Sequence, residues 1–191
     1  MNESMTRYTN RIDPKLPAIA IDLGYSAKHK SCGLATSQDA TTHSLTFGEC
    51  IEAATAIIRE KGPHTLIIEA VLSTYHQAEG NPAIRGTFEK GRGWYHGPGV
   101  TTFAAALRFL SELDYRFPKS SELIPLVEGF LSYKPARTAH VEDARRLILE
   151  FDQAEIFEPQ EGSEPISSLI QGVPQVRRYN KPTARSFVNT A

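Results

Sequence analysis

The segment AIAIDLGYSAKHKSCGLA, residues 18–35, has the pattern of two short strands joined by a turn. Its first apolar run, residues 18–21, delivers Asp22 at its end, Gly24 follows as a turn residue, and a second apolar run covers residues 31–35. A carboxylate at the end of a buried strand is held rigidly while it faces solvent, and a metal ligand needs both properties. Asp also favours turns, where its side chain bonds to the backbone two residues on, and for Asp22 taken alone this structural role is the stronger interpretation.

Length and composition indicate one globular domain. The 191 residues are 40% hydrophobic and 23% charged with a net charge of -1, which excludes the disordered and membrane-embedded classes and leaves no overall charge for attracting nucleic acid. Residues 1–17 contain no apolar leader segment, and no later run approaches the roughly 20 residues that cross a bilayer. We therefore expect a cytoplasmic protein with no membrane partner. Cys32 and Cys50 lack a CxxC spacing, which argues against a disulfide framework and a zinc site and favours Cys32 as a core residue.

The domain expected from the sequence covers residues 18–157. Residues 1–17 are polar and Pro-bounded without periodicity, and we expect an N-terminal arm there. From residue 158 the chain turns to Pro, Gly, Ser and Gln, and we expect an extended C-terminal tail over residues 158–191. The tail carries a run of cations without acids, which suits either a contact with nucleic acid or a solvated terminus. These cations are Arg177, Arg178, Lys181 and Arg185.

Hydrophobic periodicity predicts an α/β fold with elements in the order β-β-β-α-β-α-β-α. After the two strands above, the predicted elements are a strand at 42–47, a helix at 49–61 ended by Gly62 and Pro63, a strand at 64–70, a helix at 101–113, a strand at 122–131, and a helix at 138–153 with Thr138 as its N-cap. The helical connection makes the fourth strand parallel to the first, so their C-terminal ends meet at one edge of a mixed five-stranded sheet.

Three acids fall where this topology brings chain segments together. Asp22 ends the first strand, Glu69 lies at the end of the fourth, and Asp143 lies in the first turns of the last helix, beside its apolar face. Adjoining carboxylates repel one another, so such a cluster needs a divalent cation, and Mg²⁺ or Mn²⁺ suits hard oxygen ligands. Two such ions can activate a water and stabilise the leaving oxygen of a phosphodiester. His140 shares a helix face with Asp143 and is a candidate for proton transfer, for orienting a ligand or for a structural role.

A long connection, residues 71–99, follows the fourth strand and combines cations, aromatic rings and glycines. Loops of this length without structure of their own are usually functional or disordered. Cations and flat rings interleaved with flexible backbone suit a ligand with phosphates and stacking bases. The candidate substrate-binding residues are Arg85, Lys90, Arg92 and Trp94. A loop that packs its rings on the domain and leaves its charges in solvent accounts for the composition equally well.

Three motifs, AIAIDLGYS at residues 18–26, LIIEAVLS at 66–73 and HVEDA at 140–144, resemble the RNase H-like superfamily. The resemblance is nearest to RuvC-type resolvases and to an uncharacterised branch of predicted nucleases, and it covers residues 18–151. It implies a three-layer fold with helices on both faces of the sheet. It also implies a metal-dependent nuclease, a hydrolase of phosphodiester bonds with nucleic acid as its partner.

The family's catalytic acids would fall on Asp22, Glu69 and Asp143, which would bind Mg²⁺ or Mn²⁺. The resolvase-like spacing in the last helix matches His140, and Glu128 could match an acid that the predicted nucleases place at the end of the fifth strand. Resolvases often have a second acid in the last helix, which this chain does not clearly show. The long basic connection also has no counterpart in resolvases, so the choice between DNA and RNA does not carry over.

Two other classes of protein remain open from the sequence. A non-catalytic module would keep the fold and the acids for structure and bind nucleic acid or protein through the 71–99 connection and the tail. A nucleotide-binding relative of the actin-like and sugar-kinase ATPases would use Asp22, Gly24 and the following hydroxyl residues in its first phosphate loop. Such enzymes need two domains, which 191 residues do not supply. The oligomeric state stays open, with a dimer among the options.

Overall fold

The computed structural model describes residues 8–9, 12–39, 41–70, 72, 98–117, 124–131, 137–157 and 175–179. The strands in chain order are β1 Tyr8–Thr9, β2 Ala18–Asp22, β3 Cys32–Thr36, β4 Thr42–Leu45, β5 Thr65–Glu69, β6 Ile124–Leu131, β7 Glu155–Phe157 and β8 Gln175–Tyr179. The helices are α1 Phe47–Lys61, α2 Pro98–Arg116 and α3 His140–Leu149, and a 3-10 helix covers Phe151–Gln153. In these parts of the chain no helix is long and apolar enough to cross a bilayer.

The five strands expected from the sequence form one mixed sheet in the spatial order β4-β3-β2-β5-β6. β2 pairs antiparallel with β3 and parallel with β5, and β5 pairs parallel with β6. Because α1 returns the chain along the sheet between β4 and β5, β2 and β5 run in the same direction. The predicted α/β fold with a mixed sheet is confirmed, and β2 lies inside the sheet with a partner on each side.

The two terminal segments that we placed outside the domain also contribute strands. β1, from the arm at residues 1–17, pairs parallel with β6, and buried Tyr8 donates its hydroxyl to the Leu110 carbonyl oxygen at 2.8 Å. β8, from the tail at residues 158–191, pairs parallel with β6 and antiparallel with β7. A two-residue strand has no periodicity, and the segment around β8 is mostly polar, so the hydrophobic pattern indicates neither strand.

Alternation along the strands divides the core into two layers, one on each face of the sheet. Ile21 and Ile68 belong to the layer that packs against α1 and α2, whereas Ala20 and Ile67 belong to the layer with Leu147 of α3. α1 and α2 therefore cover one face and α3 covers the other, so the described elements form three layers.

The ends of α1 follow from its sequence. The Thr46 hydroxyl accepts the N–H of Glu49, and the Glu49 carboxylate accepts the N–H of Thr46, which forms a capping box. The helix therefore begins at Phe47, two residues before the predicted start. Gly62 ends it with a φ of 85°, and its N–H donates to the Ile58 carbonyl oxygen.

The two cysteines, Cys32 on β3 and Cys50 on α1, are fully buried, and neither forms a disulfide bond. The Cys32 thiol donates to the Gly24 carbonyl oxygen at 3.1 Å. The expectation that Cys32 is a core residue is confirmed.

Candidate metal centre

Asp22 and Glu69 are direct neighbours on two parallel strands. They are paired in register at the ends of β2 and β5. Two residues earlier, Ala20 and Ile67 lie in the core layer under α3, and side chains two apart along a strand share a face. Both carboxylates therefore project on the α3 side of the sheet. The proximity that the topology predicts for these two acids is confirmed.

Helix α3 brings the third acid, Asp143, to the same place. One carboxylate oxygen from each of Asp22, Glu69 and Asp143 lies within 4.8 Å of the other two. Asp22 and Asp143 are buried, and Glu69 is partly exposed. The three side chains form a largely buried acidic triad that could hold a metal ion.

The spacing and chemistry of the triad fit a small divalent cation. Oxygens bound to one Mg²⁺ lie about 2.1 Å from the ion and therefore at most about 4.2 Å from one another. Neighbouring oxygens around an octahedral ion lie only about 3.0 Å apart, so three oxygens within 4.8 Å of one another must draw together by up to about 1.8 Å to share one ion. Carboxylate oxygens suit Mg²⁺, Mn²⁺ and Ca²⁺ alike, so the donor set defines a site for hard cations.

Gly33 allows α3 to approach closely enough to complete the triad. It lies opposite Asp22 in the antiparallel pair of β2 and β3. A Cβ at Gly33 would lie 1.9 Å from the carbonyl oxygen of His140 and 2.5 Å from the nitrogen of Val141, so only glycine permits this contact. The signal for Gly33 in the sequence is a glycine inside an apolar strand, which indicates close backbone approach, and it was missed.

Thr138 orients Asp143 instead of capping the helix. α3 begins at His140, and its N-cap residue, Ala139, makes no side-chain cap hydrogen bond. The Thr138 hydroxyl lies 2.6 Å from Oδ1 and 2.7 Å from Oδ2 of Asp143, and with a single proton it donates to one of them at a time. The prediction of a Thr138 N-cap is wrong because the hydroxyl bonds the carboxylate five residues on.

His140 contacts the triad through Asp22. Its Nδ1 lies 2.8 Å from Asp22 Oδ2, and because a carboxylate only accepts, Nδ1 carries a proton. This hydrogen bond raises the pKa of His140, burial opposes the rise, and the negative charges of Asp22 and Glu69 add to it. The side chain is 39% exposed, so the ring reaches solvent while it is bonded to Asp22. His140 therefore lies between the acids and water.

Glu128 lies on the opposite face of the sheet from the triad. It is paired in register with Ile68, whose side chain belongs to the layer under α1 and α2. Its side chain is fully buried, and its Oε1 accepts the N–H of Leu72 at 3.1 Å. β6 continues three residues beyond Glu128 to Leu131, and Glu128 faces away from the triad, so its suggested match to a further acid of the site is not supported.

Four candidate substrate-binding residues, Arg85, Lys90, Arg92 and Trp94, lie outside the described residues, together with most of the 71–99 connection. Their assignment stays a prediction from the sequence.

Comparisons of the chain with protein-family models, with curated proteins and with solved structures find no match. The structure itself defines the class: an α/β protein with a largely buried triad of carboxylates at one edge of a mixed sheet.

Proposed function

We propose that this protein is a metal-dependent nuclease that hydrolyses phosphodiester bonds of DNA or RNA, with Mg²⁺ or Mn²⁺ held by Asp22, Glu69 and Asp143. The observation that carries the proposal is the placement of three carboxylates, from three separate elements, within 4.8 Å of one another. Two of the three are buried, where repulsion and desolvation are costly unless a cation is bound. Because a bound cation would offset this cost, we expect the three carboxylates to bind a metal ion.

The order of the elements supports an RNase H-like fold. From β2 to α3 the chain follows the order β-β-β-α-β-α-β-α, and the acids lie on the first strand, the fourth strand and the last helix of that series. Helices on both faces of the sheet are compatible with the three layers that the family resemblance implies. These are also the places where the resemblance puts catalytic acids.

Each side chain of the site has a role in the proposed hydrolysis. Asp22, Glu69 and Asp143 supply the oxygen ligands. A bound divalent cation supplies activation of the attacking water and stabilisation of the leaving oxygen. His140, bonded to Asp22 and in contact with solvent, would move a proton between substrate and water. Thr138 would keep the Asp143 carboxylate oriented toward the ion.

The test compares the full-length chain with Asp22→Asn on single-stranded, duplex and branched DNA and RNA, in Mg²⁺, in Mn²⁺ and in chelator. The cleavage rate of the variant should fall by more than the roughly 10- to 100-fold that is typical when a residue that only hydrogen-bonds a metal ligand is removed. Glu142→Gln is the matched control, because Glu142 is next to Asp143 in sequence but is exposed and pairs with Arg145 at 3.4 Å. Equal rates for wild type and Asp22→Asn would contradict the proposal.

Thermal unfolding separates metal binding from catalysis. An ion that binds only the folded chain stabilises it, by about 2.7 kcal/mol at about 100 times Kd. A midpoint that Mg²⁺ or Mn²⁺ raises in wild type and Glu142→Gln, but not in Asp22→Asn, supports the ligand assignment. A midpoint that neither cation changes in wild type would favour the non-catalytic module, in which the acids are structural.

A further inference from the structure

The connection between β2 and β3, residues 23–31, lies at the same sheet edge as the triad and is named the β2–β3 loop. It contains Lys28, His29 and Lys30 in succession, all of them exposed. The sequence has no acid between Asp22 and Asp39. The loop therefore presents local positive charge beside a cluster of negative charge, although the net charge of the whole chain is only -1.

Hydrogen bonds hold the β2–β3 loop in one shape. The Ser26 hydroxyl accepts the backbone N–H groups of Lys28 at 3.2 Å and His29 at 2.9 Å. The Ser26 carbonyl oxygen accepts the N–H of Phe47 at 3.0 Å, which ties the loop to the first residue of α1. The N–H of Ser31 donates to the His29 carbonyl oxygen at 2.8 Å. The cations are therefore presented by a folded turn.

The loop is also fixed where it joins the strands. A Cβ at Gly24 would lie 2.1 Å from the Ser31 carbonyl oxygen, so the two sides of the loop are in close contact. The Cys32 thiol donates to the Gly24 carbonyl oxygen at 3.1 Å. The next residue, Gly33, is the strand partner of Asp22. The direction of the loop is thus set by the same strands that carry the triad.

Tyr25 presents an aromatic ring in the same loop. It is 62% exposed, and its ring packs edge-to-face on Phe47 with centroids 5.0 Å apart and an interplanar angle of 82°. This contact holds the ring while most of it remains in solvent. A positioned, exposed ring near cations is the combination that sites for single-stranded nucleic acid use to stack a base and contact phosphates.

The loop is within reach of a strand bound at the triad. Lys30 is three residues from Gly33, so its backbone lies at most about 11 Å from the residue that pairs with Asp22. A nucleic-acid strand covers at least about 3.4 Å per nucleotide, which is its rise in a stacked duplex, so three nucleotides or fewer span about 11 Å. The triad projects on the α3 side and Tyr25 packs on Phe47 on the α1 side, so a strand with one phosphate at the triad reaches Tyr25 by crossing this sheet edge.

We propose that the β2–β3 loop binds the strand on which the triad acts, with Lys28 and Lys30 contacting phosphates and Tyr25 stacking on an unpaired base. The ligand is a single-stranded segment of DNA or RNA, because paired bases do not offer their faces to an exposed ring. This inference rests on the proposed nuclease function, which supplies the reason for a phosphodiester strand at this edge. It adds a substrate class and a binding surface among the described residues.

The test measures binding of fluorescein-labelled single-stranded DNA and RNA to the full-length chain by anisotropy, in chelator, across a salt titration. Chelator removes hydrolysis from the measurement. Each phosphate contact contributes about 0.7 to the slope of log Kd against log salt, so Lys28→Ala/Lys30→Ala should lower the slope by about 1.4. The control Lys15→Ala/Lys61→Ala removes the same charge at the opposite sheet edge, before β2 and at the end of α1, and should keep the slope.

The aromatic contact is tested separately. Tyr25→Ala should weaken single-strand binding roughly 5- to 150-fold, which is the loss expected for one stacked base. Tyr25→Phe keeps the ring and should bind within about twofold of wild type. A duplex of the same sequence should be insensitive to Tyr25→Ala. The side chains of Lys28 and Lys30 are exposed, so the thermal midpoint of Lys28→Ala/Lys30→Ala should match wild type, and Tyr25→Phe should match it because it keeps the ring contact with Phe47 that Tyr25→Ala loses.

The outcomes for the loop and for the triad are distinguishable. An unchanged salt slope in Lys28→Ala/Lys30→Ala, an equal loss in the control pair, or no binding by wild type would overturn the loop assignment. The rate of Asp22→Asn decides the nuclease proposal independently. If wild type cleaves in Mg²⁺ and Lys28→Ala/Lys30→Ala keeps the salt slope, the nuclease proposal is supported and the loop assignment is wrong. If wild type does not cleave but Lys28→Ala/Lys30→Ala lowers the salt slope, only the loop assignment is supported.

Discussion

The carbonyl oxygen of His140 lies against the α-carbon of Gly33, where a Cβ would be only 1.9 Å from that oxygen. Gly33 is the strand partner of Asp22, and the His140 ring also bonds Asp22 through Nδ1 at 2.8 Å. One backbone contact therefore sets the separation between α3 and the sheet, and with it the position of Asp143 relative to Asp22. The geometry of the triad depends on a residue without a side chain.

Gly33→Ala is expected to separate the triad without removing an acid. The added methyl group must push the backbone of His140 and Val141 away, and overpacking of this kind typically costs about 1–3 kcal/mol. We expect a lower free energy of unfolding in urea and a loss of the effect of Mg²⁺ or Mn²⁺ on the thermal midpoint. A variant with the wild-type response to cations would show that this contact does not hold α3.

Gly48→Ala is the matched control for that substitution. No atom lies within 4 Å of a Cβ built at Gly48, which lies in the first turn of α1. Alanine there should raise the free energy of unfolding by about 0.5–1 kcal/mol, because glycine is the poorer helix former, and should leave the response to cations unchanged.

Thr138→Val is expected to weaken metal binding while it keeps all three acids. Valine has the shape of threonine without the hydroxyl that lies 2.6 Å from Asp143 Oδ1, so the carboxylate is less firmly oriented. Loss of such a partner typically lowers metal affinity by about 10- to 100-fold. Titration calorimetry with Mn²⁺ measures the change, and Thr138→Ser should restore the affinity. Wild-type affinity in Thr138→Val would rule out the orienting role.

The meeting of Asp22 and Glu69 could be predicted because each ends an apolar run of strand length. The helical connection between those runs forces a parallel pairing, and a parallel pairing brings both C-terminal ends to one edge. Asp143 could be predicted as an inward-facing acid because it borders the apolar stripe of its helix. In each case local periodicity and chain direction, which the sequence contains, are sufficient.

The remaining features depend on which surfaces pack together. The strand IPLVEGFL is apolar at both alternating positions, so its pattern does not indicate that Glu128 faces α1 and α2. Thr138 precedes the helix in sequence in either case, so the sequence does not distinguish a hydroxyl that caps a backbone N–H from one that bonds a carboxylate. Gly33 matters only because α3 docks on it. Tyr8 lies in a polar stretch, and its burial follows from the position of α2.

Glu128→Gln and Glu128→Leu are expected to behave differently. Glutamine keeps an oxygen for the Leu72 N–H, so we expect near wild-type stability and the wild-type response to cations. Leucine removes that acceptor from a buried N–H, which costs about 1–3 kcal/mol. Urea unfolding measures the stability and thermal shift in Mn²⁺ measures the response. If Glu128→Gln lost the cation response as fully as Asp22→Asn, Glu128 would belong with the ligands.

His64 should make the stability of the fold depend on pH. The side chain is 1% exposed, and burial lowers its pKa against the opposing hydrogen bond to the Gly62 carbonyl oxygen at 2.7 Å. The folded chain therefore takes up the proton less readily than the unfolded chain. His64 therefore does not lower the free energy of unfolding above its unfolded-state pKa of about 6.5. As the pH falls from there toward the folded-state pKa of His64, the free energy of unfolding decreases. Urea unfolding at neutral and mildly acidic pH should show a smaller loss in His64→Gln, and an equal loss in both chains would assign the acid sensitivity to other groups.

Glu69→Gln should stabilise the metal-free protein and remove its response to cations. At an effective dielectric constant of about 20, two charges 4.8 Å apart repel by about 3 kcal/mol, and the solvent access of Glu69 reduces the effect to about 1 kcal/mol. The thermal midpoint of the variant should therefore exceed that of wild type in chelator and fall below it in saturating Mg²⁺. Removal of an acid with a purely structural role would lower the midpoint in both conditions, so the crossing of the two results identifies a metal ligand. A variant less stable than wild type in chelator would mean that the protein itself favours the charged form of Glu69.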